Sequence, residues 1–91
     1  MKKNVNLNVN LMRMYSIKDK LNNFYFPHSY PNDDLAKRDF MLATKDSSTL
    51  IGQCTSDFAL YYVGDFNCGD GSFVPAAKPF MLIDGLSVGK E

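Results

Sequence analysis

The chain has few of the residues that most catalytic and metal sites require. It contains one histidine, two cysteines and no tryptophan. Cys54 and Cys68 are fourteen residues apart and form no C-x-x-C pair, so a zinc site would need additional carboxylate ligands. His28, the one candidate for a catalytic base, lies between a proline and a serine in an expected loop. We therefore expect no enzymatic activity, no metal and no cofactor.

Long apolar runs and an excess of charge of one sign are also missing. No run approaches the roughly 20 apolar residues of a membrane span, and the start, Met-Lys-Lys followed by asparagine-rich sequence, is unlike a secretory signal. We expect no membrane contact and two free thiols in a reducing cytosol. The 10 basic and 10 acidic residues cancel, which argues against a protein that coats nucleic acid through many phosphate contacts.

The most informative stretch is Asp57 to Phe66, which reads DFALYYVGDF. Its aromatic and β-branched residues are typical of a strand long enough to cross a small sheet. A turn-rich stretch, residues 67–72, separates it from a second apolar run that begins at Phe73. The pattern predicts a β-hairpin, which we take as the scaffold of the domain.

Two shorter strands are predicted near the start. Residues 12–18 (MRMYSIK) form the first, residues 19–23 a turn, and residues 24–26 the second, which Pro27 ends because proline lacks an amide donor. Residues 1–11 form an extension that is either a frayed lead-in to the first strand or disordered. Its strict alternation favours a strand, whereas its asparagines do not.

A helix is predicted between the two hairpins. Asn32 is placed as its N-cap, Asp33 and Asp34 favour its positive first turn, and it ends at Thr44 or Lys45. Asp39 intrudes on the apolar side, where we expect it to lie at the rim beside a base or to make a polar contact beneath the helix. The expected apolar side consists of Leu35, Ala36, Phe40, Leu42 and Ala43.

The order of elements is therefore β-β-α-β-β. Residues 72–84 supply the last strand, which Pro75 and Pro79 mark as an edge strand or divide in two. The expected fold is a two-layer α+β domain over residues 12–84, with residues 85–91 as a tail. A four-stranded, mainly antiparallel sheet is covered on one face by a single helix.

A single helix covers only one side of the central strand. Alternation places Tyr61 and Val63 on the uncovered side, whereas Phe58, Leu60, Tyr62 and Phe66 face the helix. Exposed aromatic surface usually marks an interface, so we expect Tyr61 and Val63 to contact a partner or a second copy in a homo-oligomer.

Nucleic acid is a second candidate partner. Aromatic side chains on a sheet can stack on unpaired bases, and basic residues can contact phosphates. Packing in the core or in an oligomer is the alternative for the same rings. The candidate nucleic-acid-binding residues are Arg13, Tyr15, Lys18, Lys20 and Tyr25.

Three segments together resemble the small nonstructural protein of the gokushoviruses, which are microviruses with single-stranded DNA genomes that infect bacteria. They are MYSIKD at 14–19, NDDLAKRDF at 32–40 and DFALYYVGDF at 57–66, and their order and spacing extend over residues 12–84. The chain departs from the family pattern in its asparagine-rich start and at residues 53–56, where a proline is expected.

The resemblance implies a non-enzymatic phage protein made in the host bacterial cytoplasm. It implies a role in viral single-stranded DNA replication or packaging, exerted by binding single-stranded DNA or viral or host replication proteins. The alternative is an interaction or oligomerisation module that uses the uncovered sheet face and does not touch DNA.

Overall fold

The computed structural model describes residues 10–88. Within them a four-stranded antiparallel sheet has the order β2-β1-β3-β4, and helices add the second layer, so the predicted α+β class is confirmed. The strands are β1 Leu11–Asp19, β2 His28–Ser29, β3 Phe58–Asn67 and β4 Phe73–Asp84. The helices are α1 Asp33–Thr44, α2 Leu50–Gln53 and α3 Gly85–Val88, with a 3-10 turn at Thr55–Asp57.

Helix α1 begins where the sequence predicts. Asn32 Oδ1 accepts the amide of Leu35 at 2.9 Å, which satisfies one of the free donors of the first turn. Ala36, Phe40 and Thr44 are buried at four-residue spacing, so this side packs on the sheet. The placement of Leu42 on the apolar side is wrong. Its side chain is exposed, because it lies about 200° around the helix from Phe40.

The core lies between the sheet and the helical layer. Its buried apolar side chains come from β1, α1, β3 and α3, and α3 lies within the stretch expected to be a tail. Residues 1–9, most of the expected N-terminal extension, lie outside the described residues. The core consists of Tyr15, Ala36, Phe40, Phe58, Leu60 and Val88.

The second strand is displaced from its predicted position at residues 24–26. Only a single bridge, between Lys18 and Phe24, forms there, and the ladder resumes at His28–Ser29. Ser16 Oγ donates to the carbonyl oxygen of Tyr25 at 2.6 Å, so a side chain replaces a ladder bond. Pro27 then offers no amide, and the pairing continues only beyond it.

A bulge in the middle of β3 changes which side chains share a face. Tyr62 lies opposite Tyr15, but Gly64 lies opposite Met14, so β3 has one extra residue, Val63. An extra residue exchanges the two faces for everything that follows. The prediction that Phe66 faces the helix with Tyr62 is therefore wrong.

Strand β4 is an edge strand, one of the two predicted alternatives. Its pairing with β3 moves from Phe80, opposite Tyr62, to Pro75, opposite Gly64, so several residues of β4 bulge out of the ladder. Prolines and bulges discourage the addition of another strand. This edge is therefore poorly suited to strand-by-strand association.

Candidate interaction surface

The side of the sheet away from α1 carries an apolar surface that we call the open face. Directly opposite residues of an antiparallel ladder project to the same side. The register therefore places Met12, Phe66 and Phe73 in one row across three strands, and it pairs Tyr61 with Met81 further along. The open face consists of Met12, Met14, Ser16, Lys18, Tyr61, Phe66, Phe73 and Met81.

Much of the open face is accessible to solvent. Met12 is 41% exposed, Phe66 37%, Phe73 44% and Met81 45%. Isolated apolar side chains on a surface need no explanation, but a contiguous group of this kind is typical of a binding surface.

Tyr61 lies on the open face and is half-buried. The ring of Phe24 packs edge-on against it, with centroids 5.2 Å apart, and Lys18 Nζ lies 4.8 Å from the centre of the Phe24 ring. Val63 is also half-buried, but it is the bulged residue and has no partner in either ladder. Of the two predicted interface residues, only Tyr61 is placed on the open face by the register.

Arg13 and Tyr15 lie on the opposite side of the sheet, where both side chains contact Asp33 in the first turn of α1. The Tyr15 hydroxyl donates to Asp33 Oδ1 at 2.7 Å, and Arg13 Nη2 lies 3.0 Å from the same oxygen. The Arg13 guanidinium also lies 4.0 Å from the centre of the Tyr62 ring. Burial raises the pKa of the Tyr15 hydroxyl, as does its hydrogen bond to Asp33. Tyr15 is 1% exposed, so its ring has no free side on which a base could stack.

The remaining candidate DNA-binding residues lie apart from this group. Lys20 Nζ is 2.6 Å from Asp84 Oδ1, and the hydrogen bond lowers the pKa of that carboxyl. Tyr25 is partly exposed and packs edge-on against Phe58. Of the five, only Lys18 is placed on the open face by the ladder register, and Lys20 lies beyond the end of this ladder, paired with Asp84.

Sequence reasoning missed Met12, Phe66 and Phe73 as members of one surface. Alternation carried through Gly64 places Phe66 on the wrong side, because it ignores the bulge. A glycine inside a strand pattern is itself a signal of a bulge, and this signal was present.

Residues 12–88 match the family model described as Phage ORF5 protein. The chain belongs to this phage family. No curated protein and no solved structure matches it. The family match extends from β1 to α3 and therefore includes every strand of the open face.

The phage domain also has a cavity of about 590 Å³ on the helix side. It lies between α1 and residues 22–30, and its lining includes the core residues Ala36, Phe40 and Leu60. The Tyr30 hydroxyl donates to Asp39 at its wall. Asp39 was expected either to lie beside a basic residue or to make a polar contact beneath the helix. It accepts a hydrogen bond from the Tyr30 phenol and does not pair with a base. Burial and this hydrogen bond raise the pKa of Tyr30 to about 12, so the phenol stays protonated.

Three further observations concern metal ligands, membrane-spanning helices and thiols. Within residues 10–88, no group of three or more His, Cys, Asp or Glu side chains is placed to hold a metal ion. None of the helices in this part of the chain is long and apolar enough to cross a membrane. Cys54 and Cys68 are free thiols.

Proposed function

We propose that this phage protein is a non-enzymatic binding protein that acts in the host cytoplasm during viral single-stranded DNA replication or packaging. Single-stranded DNA lies across the open face. The observation that supports this proposal is the placement of Tyr61, Phe66 and Phe73 on one side of the sheet together with Lys18.

The rings are arranged as a platform for unpaired bases. Phe66 and Phe73 are directly opposite each other on neighbouring strands, which are about 4.8 Å apart. Tyr61 lies five residues before Phe66, or about 16 Å along a regular strand. Stacking of a base on an aromatic ring contributes about 1–3 kcal/mol and tolerates any sequence, because every base has a flat face. The open face can therefore bind several consecutive bases without reading their identity.

Electrostatics add little to this binding. Lys18 is the cation that the ladder register places on the open face, and the Lys20–Asp84 pair on the same side of the sheet adds no net charge. Each phosphate contact to a single strand changes the slope of log K against log salt by about −0.7. We therefore expect a shallow salt dependence, with a slope near −1, and a Lys18→Ala variant that nearly abolishes it.

Fluorescence anisotropy with a labelled single-stranded thymidine oligonucleotide tests the proposal. The oligonucleotide should be longer than ~16 nucleotides, the upper limit of the site size for a single domain of this kind. Phe66→Ala combined with Phe73→Ala should weaken binding at least about 30-fold, since each ring contributes at least ~1 kcal/mol. Phe80→Ala is the matched control, because Phe80 is 62% exposed but lies opposite Tyr62, on the helix side. Absence of binding at low salt would exclude direct DNA contact.

Self-association through the open face is the second candidate. The observation that favours it is the share of methionine on this surface, with Met12, Met14 and Met81, because methionine adapts well to a protein partner. Light scattering separates the candidates. A wild-type dimer that Phe66→Ala with Phe73→Ala converts to a monomer supports the interaction module, whereas an unchanged mass with lost oligonucleotide binding supports the DNA function.

A further inference from the structure

A projecting apolar side chain lies beside the cavity on the helix side. Phe26 is 86% exposed and Leu21 is 82% exposed, the highest values among the large apolar residues of the described chain. Both belong to residues 21–32, the longest stretch of the sequence without Asp, Glu, Lys or Arg. Protein interfaces are enriched in aromatic residues and depleted of charge at their centre. This stretch, which we call the edge segment, has that composition.

The cavity accepts an apolar group. Its lining includes Ala36, Phe40 and Ala43 from α1, with Leu60 from the sheet. The carboxylate at its wall, Asp39, already accepts the Tyr30 hydroxyl. A volume of about 590 Å³ lies in the range of ligand-binding sites and can hold a phenyl ring. Phe26 borders the cavity, yet its high exposure shows that it does not fill it.

We propose that two copies of the chain form a symmetric dimer in which Phe26 of each enters the cavity of the other. A twofold interface requires that the projecting group and its receptor lie on the same surface of one protomer, so that both contacts form at once. Phe26 and the cavity meet this condition, because the same edge segment supplies the projecting ring and part of the cavity wall. A buried ring in a fitted pocket is also the kind of contact that dominates binding free energy.

The position of this interface distinguishes it from the open face. The cavity floor includes Phe40 and Leu60, which pack between α1 and the sheet, whereas Phe66 and Phe73 lie on the other side. The dimer therefore leaves the open face accessible, and it does not depend on DNA binding. Failure of either proposal leaves the other intact.

Light scattering and sedimentation equilibrium of the full chain test the dimer. The wild type should approach twice its 10.3 kDa mass with increasing concentration. Phe26→Asp should raise the dimer dissociation constant at least 100-fold, because it places a charge in an apolar pocket, and its exposed position should leave the circular dichroism spectrum unchanged. Ala43→Phe should also give a monomer by filling the receptor.

Mixing the two variants gives the sharper test. The Phe26→Asp chain retains an open cavity, and the Ala43→Phe chain retains the projecting Phe26 ring. In a mixture, Phe26 of the Ala43→Phe chain can enter the cavity of the Phe26→Asp chain. The mixture should therefore contain a heterodimer, although neither variant dimerises with itself. A photoreactive phenylalanine analogue at position 26 provides a second measurement that does not require Ala43→Phe to fold. In a mixture of ¹⁵N-labelled and unlabelled chains, it should crosslink to α1 peptides of the other chain.

Phe80→Asp serves as the control, since Phe80 is exposed on β4, at the other edge of the sheet. This variant should dimerise as the wild type does. A monomeric wild type, a dimer unaffected by Phe26→Asp, or a dimer lost through Phe66→Ala with Phe73→Ala would each overturn the proposal. Crosslinks from position 26 that stay within one chain would do the same.

Discussion

The ring of Phe73 lies against the backbone of Gly64. A Cβ atom built on Gly64 would lie 2.8 Å from Phe73 Cζ and 2.5 Å from the carbonyl oxygen of Val74. Gly64 also has a φ of 149°, a conformation that residues with a side chain rarely adopt. The bulge that turns Phe66 to the open face thus depends on a position where glycine is required.

Gly64→Ala should destabilise the domain by about 3 kcal/mol or more, since backbone strain and a steric conflict with a neighbouring strand add together. Gly71→Ala is the matched control. Gly71 also has a positive φ, of 80°, but a Cβ there meets nothing within 4 Å, so its cost should be only about 1–2 kcal/mol. Urea unfolding followed by circular dichroism measures both. Equal costs for the two variants would show that the close approach to Phe73 is unimportant.

The features that sequence could predict are those set by local chemistry. Asn32 caps α1 as expected, because a cap involves only the next three residues. Strand β3 agrees with its expected bounds to within one residue at each end. The fate of the charges depends on contacts far along the chain: Arg13 pairs with Asp33, and Lys20 pairs with Asp84, 64 positions away. Single-sequence patterns carry no information on such pairs, so these bases looked available for phosphates.

Phenylalanines of the open face should contribute far less to stability than those of the core. Phe66→Ala and Phe73→Ala should each cost less than about 1.5 kcal/mol, because both rings remain partly in water after folding. Phe40→Ala should cost about 3–5 kcal/mol, since Phe40 is 2% exposed and its removal leaves a cavity. Thermal or urea unfolding measures the difference. A large loss for Phe73→Ala would indicate that the open face is a structural layer.

The Lys20–Asp84 pair should make stability depend on acid pH. The hydrogen bond from Lys20 lowers the pKa of Asp84 in the folded protein. The pair therefore stabilises the fold at pH values above about 3.9, the pKa of an unfolded aspartate, and this contribution disappears as the pH falls through the lower folded value.

Asp84→Asn should accordingly show a shallower loss of stability below pH 4 than the wild type, with a difference at neutral pH of no more than about 1 kcal/mol for so exposed a pair. Lys20→Met should give a similar dependence of stability on pH, because it removes the hydrogen bond that is the main cause of the lowered pKa of Asp84. Urea unfolding across the acid range checks this. High salt should reduce the difference at neutral pH. A pH profile identical to that of the wild type in both variants would mean that the pair does not form in solution.

The phenol of Tyr30 should titrate later than an ordinary tyrosine. Its pKa is raised to about 12 by burial and by the hydrogen bond to Asp39. Because the pKa of Tyr30 is raised, its protonated phenol stabilises the folded state. This contribution is complete below pH ~10, the pKa of an unfolded tyrosine, and is lost as the pH rises through the pKa of Tyr30 in the folded protein. Asp39→Asn should move the titration of Tyr30 back towards pH 10, because the amide does not disfavour the phenolate by charge.

Ultraviolet difference titration resolves Tyr30 when each profile is compared with that of a Tyr30→Phe variant, which removes this one phenol and leaves the other tyrosines. Asp65→Asn is the control, because Asp65 accepts the Tyr62 hydroxyl and should shift that phenol alone. The experiment also reports on the cavity. If Phe26 of a second copy enters it, association should bury the wall further and raise the pKa of Tyr30 above the value of the single chain, whereas Phe26→Ala should keep the single-chain value at every concentration.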